Sequence, residues 1–243
     1  MKIRRFMSFR FKQFYIKDDK CAMKVGTDGV LLGAWAPIDH LKIQRFEDLK
    51  ILDVGTGSGL IARMLMQRCP KAEVEGIDID EAAVEQAREN GVKAFCSSLQ
   101  EWQIGKCENE KMCKFYDLIV ANPPYFQNSL KNPDKGRELA RHTDSLSYEE
   151  LIAHSVRLLA DNGQLALILP AEAEAEIRAL AKKNGLSPTR ITRVFSKENK
   201  PARRVLLAFS RQYSAFREDT LVLEDEKGGR SAAYSELCKE FYL

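Results

Sequence analysis

Two hydrophobic rhythms alternate along the chain. Short apolar runs of strand length occur at Ile51 to Val54, in AEVEGIDID ending at Asp78, in VKAFCSS, in YDLIVANPPY and in QLALILP. Between them, apolar residues recur at helical spacing. Leu60, Ile61, Met64 and Leu65 mark one helix, EAAVEQAREN a second ahead of Gly91, YEELIAHSVRLLADNG a third, and AEAEAEIRALAKKNG a fourth closed by Gly185. LSPTRITRVFS and ARRVLLAFSR predict a closing strand pair. Alternating strands and helices over about residues 50 to 210 predict an α/β fold with a mostly parallel central sheet and helices on both faces, since each parallel step needs a crossover.

The flanks break this rhythm. FRFKQFYI alternates loosely and predicts a hairpin or edge strand, and GTDGVLLGAWA a turn and short helix. YSELCKEFYL predicts a terminal helix docking through Tyr234, Leu237, Phe241 and Tyr242. The organisation expected is an N-terminal extension over 1–49 packed on a core domain over 50–243. The 243 residues, 44% apolar and 30% charged, contain no apolar run of 18, and the basic start MKIRRFMSFRFKQF lacks the apolar stretch of a signal peptide. A cytoplasmic protein without membrane contact is expected. Cys21, Cys69, Cys96, Cys107, Cys113 and Cys238 lack metal-site spacing and are expected as free thiols, with no metal. Trp35 and Trp102 are expected in packing or at a pocket rim.

Net charge is only +3, yet its distribution is uneven. Residues 1–24 hold eight Lys/Arg against Asp18 and Asp19, and residues 182–204 hold eight against Glu198 alone. Two such blocks form a phosphate-attracting face if the fold joins them, and plain solvated surface if it does not.

Candidate chemistry sits at the strand ends. DVGTGSG places Gly55, Gly57 and Gly59 between a strand and a helix, where glycine lets backbone approach a ligand. Asp78, 25 residues after Asp53 and ending the next strand, is placed to accept both ribose hydroxyls of an adenosine ligand. The glycine spacing departs from GxGxxG, and no GK[ST] exists to hold a triphosphate. Asn122 to Phe126, at the end of the fourth strand, should enter the same crevice. Pro123 and Pro124 cannot donate hydrogen bonds, so a carboxamide oxygen on Asn122 and a neighbouring carbonyl can accept both N–H bonds of a planar amine. Tyr125 can stack on the ring that carries the amine. Such acceptors localise the lone pair and stabilise positive charge growing on nitrogen. Neither a histidine base nor a covalent nucleophile is needed. A plain strand-ending turn is the other reading of NPPY.

With these motifs the chain resembles class I S-adenosylmethionine-dependent methyltransferases that methylate amino groups and carry an Asn/Asp-Pro-Pro-Tyr/Phe signature. It is more closely similar to the bacterial tRNA1(Val) adenine-37 N6-methyltransferase family. That likeness rests on FRFKQFYI, CAMKVGTDGVLLGAWA, ILDVGTGSGLIA, YDLIVANPPYF, RELARHTDSLSYEEL and the terminal EFYL. It implies a Rossmann-like class I fold and S-adenosyl-L-methionine as cofactor. Asp53, Gly55, Thr56, Gly57 and Gly59 would then shape the methionine side, Asp78 would take the ribose, and Thr27 and Asp28 would close over the cofactor. Asn122 with Pro123 and Pro124 would hold the target N6, and Tyr125 would stack on adenine. Families of this class often place an Asp after the third strand to read the cofactor adenine; here Ser97, Ser98 and Leu99 follow, and Ser98 is the side chain left for that contact.

The partner implied is tRNA, at its anticodon stem-loop, with a monomer as the default state. Arg5, Arg10, Lys12, Arg137, Arg141, Lys197, Lys200, Arg203 and Arg204 are the candidate phosphate contacts, and His142 is expected to be structural. Three rivals stand beside this reading: N5-methylation of glutamine in a release factor, N2-methylation of guanine in ribosomal RNA, and an RNA-binding protein or chaperone on a vestigial cofactor fold. Only about 50 residues precede ILDVGTG, which counts against the first; intact Asp78 and NPPY count against the last.

Overall fold

Buried residues of each central strand divide alternately between two apolar layers. Ile51, Leu118, Val120, Ala166 and Ile168 face one layer, while Leu52, Val54, Ile119, Leu165 and Leu167 face the other. A sheet covered on both sides requires such continuous apolar runs. The computed structural model describes residues 8–38, 49–103, 115–124, 146–212 and 215–243. In chain order its elements are β1 (Ser8–Arg10), β2 (Tyr15–Lys17), α1 (Thr27–Trp35), β3 (Lys50–Val54), α2 (Leu60–Arg68), β4 (Glu73–Asp78), α3 (Glu81–Glu89) and β5 (Lys93–Cys96). There follow β6 (Tyr116–Ala121), α4 (Tyr148–Leu158), β7 (Leu159–Pro170), α5 (Glu174–Lys183), β8 (Ser187–Phe195), β9 (Ala202–Ser210), β10 (Arg217–Val222) and α6 (Ala232–Leu237).

Eight strands form one sheet in the order β10-β8-β9-β7-β6-β3-β4-β5. The sheet is mixed: β9 runs antiparallel to both β7 and β8, and the other neighbouring pairs are parallel. The antiparallel part is the closing strand pair, whose connection over 196–201 is too short for a crossover. Helices α1, α2 and α3 supply one apolar layer, and α4 and α5 the other.

Two boundaries differ from the periodicity. The third helix stops at Leu158 rather than running through Gly163, because Leu159 already pairs with Tyr116 at the start of β7. Its start is set by a capping box in which the Ser147 hydroxyl accepts from Glu150 N (3.2 Å) and the Glu150 carboxylate accepts from Ser147 N (2.9 Å). The edge strand β10 was not expected. Within it only Leu221 is fully buried, so it carries almost no hydrophobic signal.

FRFKQFYI forms the β1–β2 hairpin, with Phe11, Phe14 and Ile16 buried. The Phe11 ring stacks on Phe14 (4.7 Å) and Tyr242 (6.1 Å), and Lys12 N donates to the Phe241 carbonyl at 2.8 Å. Tyr234 and Phe241 are buried as the docking face requires, with Leu237 and Tyr242 packed partly beside them. Trp35 is core, donating to the Thr192 hydroxyl at 2.8 Å, and Trp102 donates to the Tyr116 hydroxyl at 3.0 Å. Cys21, Cys96 and Cys238 are free thiols and Cys69 is buried; Cys107, Cys113 and His142 lie outside the described residues. No helix among the described residues is long and apolar enough to cross a membrane.

Candidate active site

Strand register assembles the site. Val54 at the end of β3 pairs with Ile77 on β4 and with Ala121 on β6. The next residue on each strand therefore stands in one row at the carboxyl edge: Asp78, Gly55 and Asn122. The chain order reverses at β3, which is where open α/β sheets leave a ligand crevice. Here that crevice has a volume of about 1330 Å³ and is lined by Thr27, Asp28, Gly55, Thr56, Gly57, Asp78, Ser98, Asn122, Pro123 and Pro124, among others. A drug-sized ligand needs roughly 300–1,000 Å³, so a nucleoside cofactor and a second base fit together.

Gly55 and Gly57 have φ of 69° and 54°, and a Cβ built on either meets nothing within 4 Å. Their backbone conformation calls for glycine, and the space above them is open for a ligand. Gly59 plays another part. With φ 79°, its hypothetical Cβ would come 2.7 Å from Val92 Cγ2 and 3.3 Å from Ala87 Cβ, so it lets α2 pack on α3 and does not line the crevice. Gly59→Ala combines a disfavoured φ with overpacking and is expected to lower stability by about 2–4 kcal/mol, read from urea unfolding midpoints.

Asp53 also lies behind the crevice wall, fully buried. Its Oδ2 accepts from the Thr56 hydroxyl at 2.8 Å and from Ala62 N at 3.2 Å, tying the glycine loop to the start of α2. Thr56 reaches it across Gly76, where a Cβ would sit 2.7 Å from the Thr56 hydroxyl. Burial raises the Asp53 carboxyl from 3.8 to about 7, outweighing these two hydrogen bonds. A carboxyl raised in this way holds its proton more tightly folded than unfolded. Its stabilisation is complete below the unfolded value of 3.8 and is lost as pH rises through about 7. Between pH 5 and 8 the wild type should lose on the order of a few kcal/mol relative to Asp53→Asn, measured as the difference of their urea midpoints.

Asp78 Oδ2 accepts from Gly57 N at 2.9 Å and Oδ1 from Asp80 N at 3.0 Å. Each oxygen keeps a lone-pair direction for a ribose hydroxyl. Beside it Ile79 is 61% exposed and lines the crevice with Leu99, an apolar pair suited to a purine and not anticipated from sequence. Ser98 is engaged: its hydroxyl donates to Glu101 Oε2 at 3.1 Å and accepts from Glu101 N at 3.2 Å. Glu101 thus brings a carboxylate to the crevice where an Asp was missing from the sequence. It was overlooked because it lies beyond the strand, in the turn that Ser98 caps.

Thr27 and Asp28 reach the crevice because α1 lies close on α2. Added Cβ atoms on Gly29 and Gly33 would stand 3.0 Å from Leu60 and 2.7 Å from Met64. Asp28 Oδ2 accepts from Arg204 Nε at 2.9 Å, joining α1 to β9. The preceding loop is held by buried Asp18, whose Oδ2 accepts from Val25 N at 2.8 Å. Asn90 fixes the hairpin to the glycine loop by donating to Lys17 O (2.7 Å) and Ser58 O (2.8 Å).

Asn122 is partly buried at the mouth. Its Nδ2 lies 3.9 Å from Met23 Sδ, and its Oδ1 is buried without a partner among the described residues. A buried carboxamide oxygen left unpaired costs about 1–3 kcal/mol, so it stands ready for a donor. Pro123 is buried and Pro124 exposed beside it; Tyr125 lies outside the described residues.

The cationic candidates are not equivalent. Arg204 is paired with Asp28 and Lys197 with Glu224 (3.4 Å), while Lys12 Nζ donates to the Lys239 carbonyl. Arg10 lies over the Tyr15 ring at 5.5 Å on the hairpin. Lys200 and Arg203 are exposed at the β8–β9 turn, on the sheet edge where Arg204 pairs with Pro170 at the end of β7. Arg5, Arg137 and Arg141 lie outside the described residues.

Comparison with known proteins is consistent with this geometry. The family model "Methyltransferase small domain" matches residues 32–185. A tRNA1(Val) (adenine(37)-N6)-methyltransferase of Flavobacterium johnsoniae is 45% identical over 97% of this chain and 99% of its own length. A protein of the same name from Aeromonas hydrophila is 39% identical over 97% of each chain. The crystal structure of a predicted O-methyltransferase from Agrobacterium tumefaciens superposes with a TM-score of 0.63 at 20% identity, covering 88% of this chain and 96% of that one. The last likeness shows a class I methyltransferase-like α/β fold, here with a mixed sheet.

Proposed function

Because the chain belongs to the tRNA1(Val) (adenine(37)-N6)-methyltransferase family, we propose that it methylates N6 of adenine 37 in tRNA1(Val), with S-adenosyl-L-methionine as methyl donor. The observation that carries this reading is the buried Asn122 Oδ1, without a partner among the described residues, in register with Gly55 and Asp78 in one crevice. When bound, S-adenosylmethionine supplies an electrophilic methyl group on a sulfonium.

The chain's own residues do the remainder. Gly55 and Gly57 leave room for the cofactor against the loop, and Asp78 accepts its ribose hydroxyls. Thr27 and Asp28 close the other wall. Asn122 Oδ1 and the Pro123 carbonyl accept the two N6–H bonds, which holds the amine with its lone pair free and stabilises the positive charge it develops. Tyr125 stacks on the target base. The proton leaves to solvent after attack, so no buried base is required.

An N6 amine inside a stacked helix cannot reach these acceptors, whereas an anticodon-loop adenine is already partly unstacked. We read the anticodon stem-loop as the part of tRNA that is gripped, with Lys200 and Arg203 at the sheet edge as phosphate contacts and a monomer as the working unit. The test is nucleoside mass spectrometry after incubating the protein and labelled S-adenosylmethionine with total tRNA, and separately ribosomal RNA, from a strain lacking the gene. Labelled N6-methyladenosine in tRNA alone is expected. Label in ribosomal N2-methylguanosine, or in neither pool, would overturn the assignment.

A further inference from the structure

The loop between β2 and α1 presents a residue that the chemistry above leaves unused. Met23 is apolar yet 50% exposed, lines the crevice, and has its sulfur 3.9 Å from Asn122 Nδ2. Its exposure beside Asn122 leaves the thioether available to a ring that enters the crevice. The loop holding it is anchored at Asp18, whose carboxylate accepts from Val25 N (2.8 Å) and whose carbonyl accepts from Cys21 N (3.2 Å) and Lys24 Nζ (2.5 Å).

Chemistry sets how Asn122 turns beside it. A thioether accepts hydrogen bonds weakly and donates none, so the carboxamide directs its NH2 toward sulfur and its oxygen away. The oxygen is the atom that is buried and unpaired among the described residues. An unbranched side chain with three rotatable bonds and a soft sulfur suits contact with an aromatic ring.

We propose, building on the adenine reading above, that Met23 is a positioning and specificity residue. It keeps Asn122 Oδ1 as the acceptor and lays its thioether against the adenine whose N6 that oxygen receives. The base is thereby held from the N-terminal loop as well as from the Asn122 strand end.

The test is steady-state kinetics of Met23→Ala, Met23→Leu and Met23→Gln on tRNA purified from a strain lacking the gene, with S-adenosylmethionine affinity and melting temperature measured in parallel. Met23→Ala is expected to lower kcat/KM for tRNA about tenfold while cofactor affinity stays within about twofold, and Met23→Leu to recover activity to within about threefold of wild type. Met23→Gln keeps the length but its amide donates as well as accepts, which removes the preference for NH2 toward position 23 and lets Asn122 flip its Oδ1 onto that donor. It should lower kcat further than alanine does, by occupying the acceptor. A Met23→Ala enzyme within twofold of wild type, or a glutamine variant indistinguishable from the leucine one, overturns the proposal. Failure of the unsubstituted chain to methylate tRNA would overturn the adenine reading itself and this proposal with it, and it shows in the control rather than in the variants.

Discussion

Replacing Asn122 with alanine is expected to lower kcat by about 10²–10³-fold while leaving S-adenosylmethionine affinity within a few-fold of wild type. The magnitude is that of removing one preorganised polar partner from a developing charge. Asn122 stands in one row with Gly55 across the β3–β6 ladder, yet the one hydrogen-bond contact of its side chain among the described residues is to the Met23 sulfur. Its loss therefore takes no structural hydrogen bond from the glycine loop. The effect falls on the step in which nitrogen becomes positive, so kcat and kcat/KM should fall together. Single-turnover kinetics combined with calorimetric cofactor titration separate the two. An equal loss of cofactor binding would remove the proposed role from this residue.

Asp78→Ala should show the reverse emphasis, weakening S-adenosylmethionine binding by about 10–100-fold. A hydrogen bond to a charged group contributes roughly 1.5–3 kcal/mol, and the carboxylate is placed to accept two from a ribose. It already accepts from Gly57 N and Asp80 N, so alanine also loosens the turn that presents Gly57. Asp78→Asn keeps the shape and one acceptor and should recover part of the loss. Isothermal titration of the three proteins is the check; unchanged affinity in the alanine variant would sink the ribose assignment.

The strand-end positions lining this crevice were legible in the sequence because they sit where a strand rhythm stops. Gly55, Asp78 and Asn122 each follow an apolar run, and parallel pairing at matched register does the rest. Other features were hidden for identifiable reasons. Gly59 reads as a cofactor glycine, and only its closeness to Val92 and Ala87 shows a packing role. Asp53 reads as a site carboxylate, but strand alternation turns it inward toward Thr56 and Ala62. Glu101 belongs to a turn whose path no periodicity predicts, and Met23 meets Asn122 across 99 residues. The antiparallel β9 follows from a short connection, whereas β10 has too little burial to announce itself.

The basic blocks show the limit of counting charge. Lys20 pairs with Glu85 and Glu89, Arg193 with Glu174 and Glu218, and Arg190 with Asp219, so much of the positive charge is matched locally. Among the described candidates, the phosphate contacts we propose are Lys200 and Arg203, exposed at the sheet edge, and Arg10 on the hairpin.

The most direct measurement is to incubate the protein and labelled S-adenosylmethionine with tRNA1(Val) purified from a strain lacking the gene, digest with nuclease, and map the label by fragment mass spectrometry. One added methyl group is expected, on N6 of adenine 37, forming about 10²–10³-fold more slowly when Asn122→Ala replaces the wild type under single-turnover conditions. A methyl group on another base, or at position 37 with undiminished rate in the Asn122→Ala protein, would contradict the proposed function.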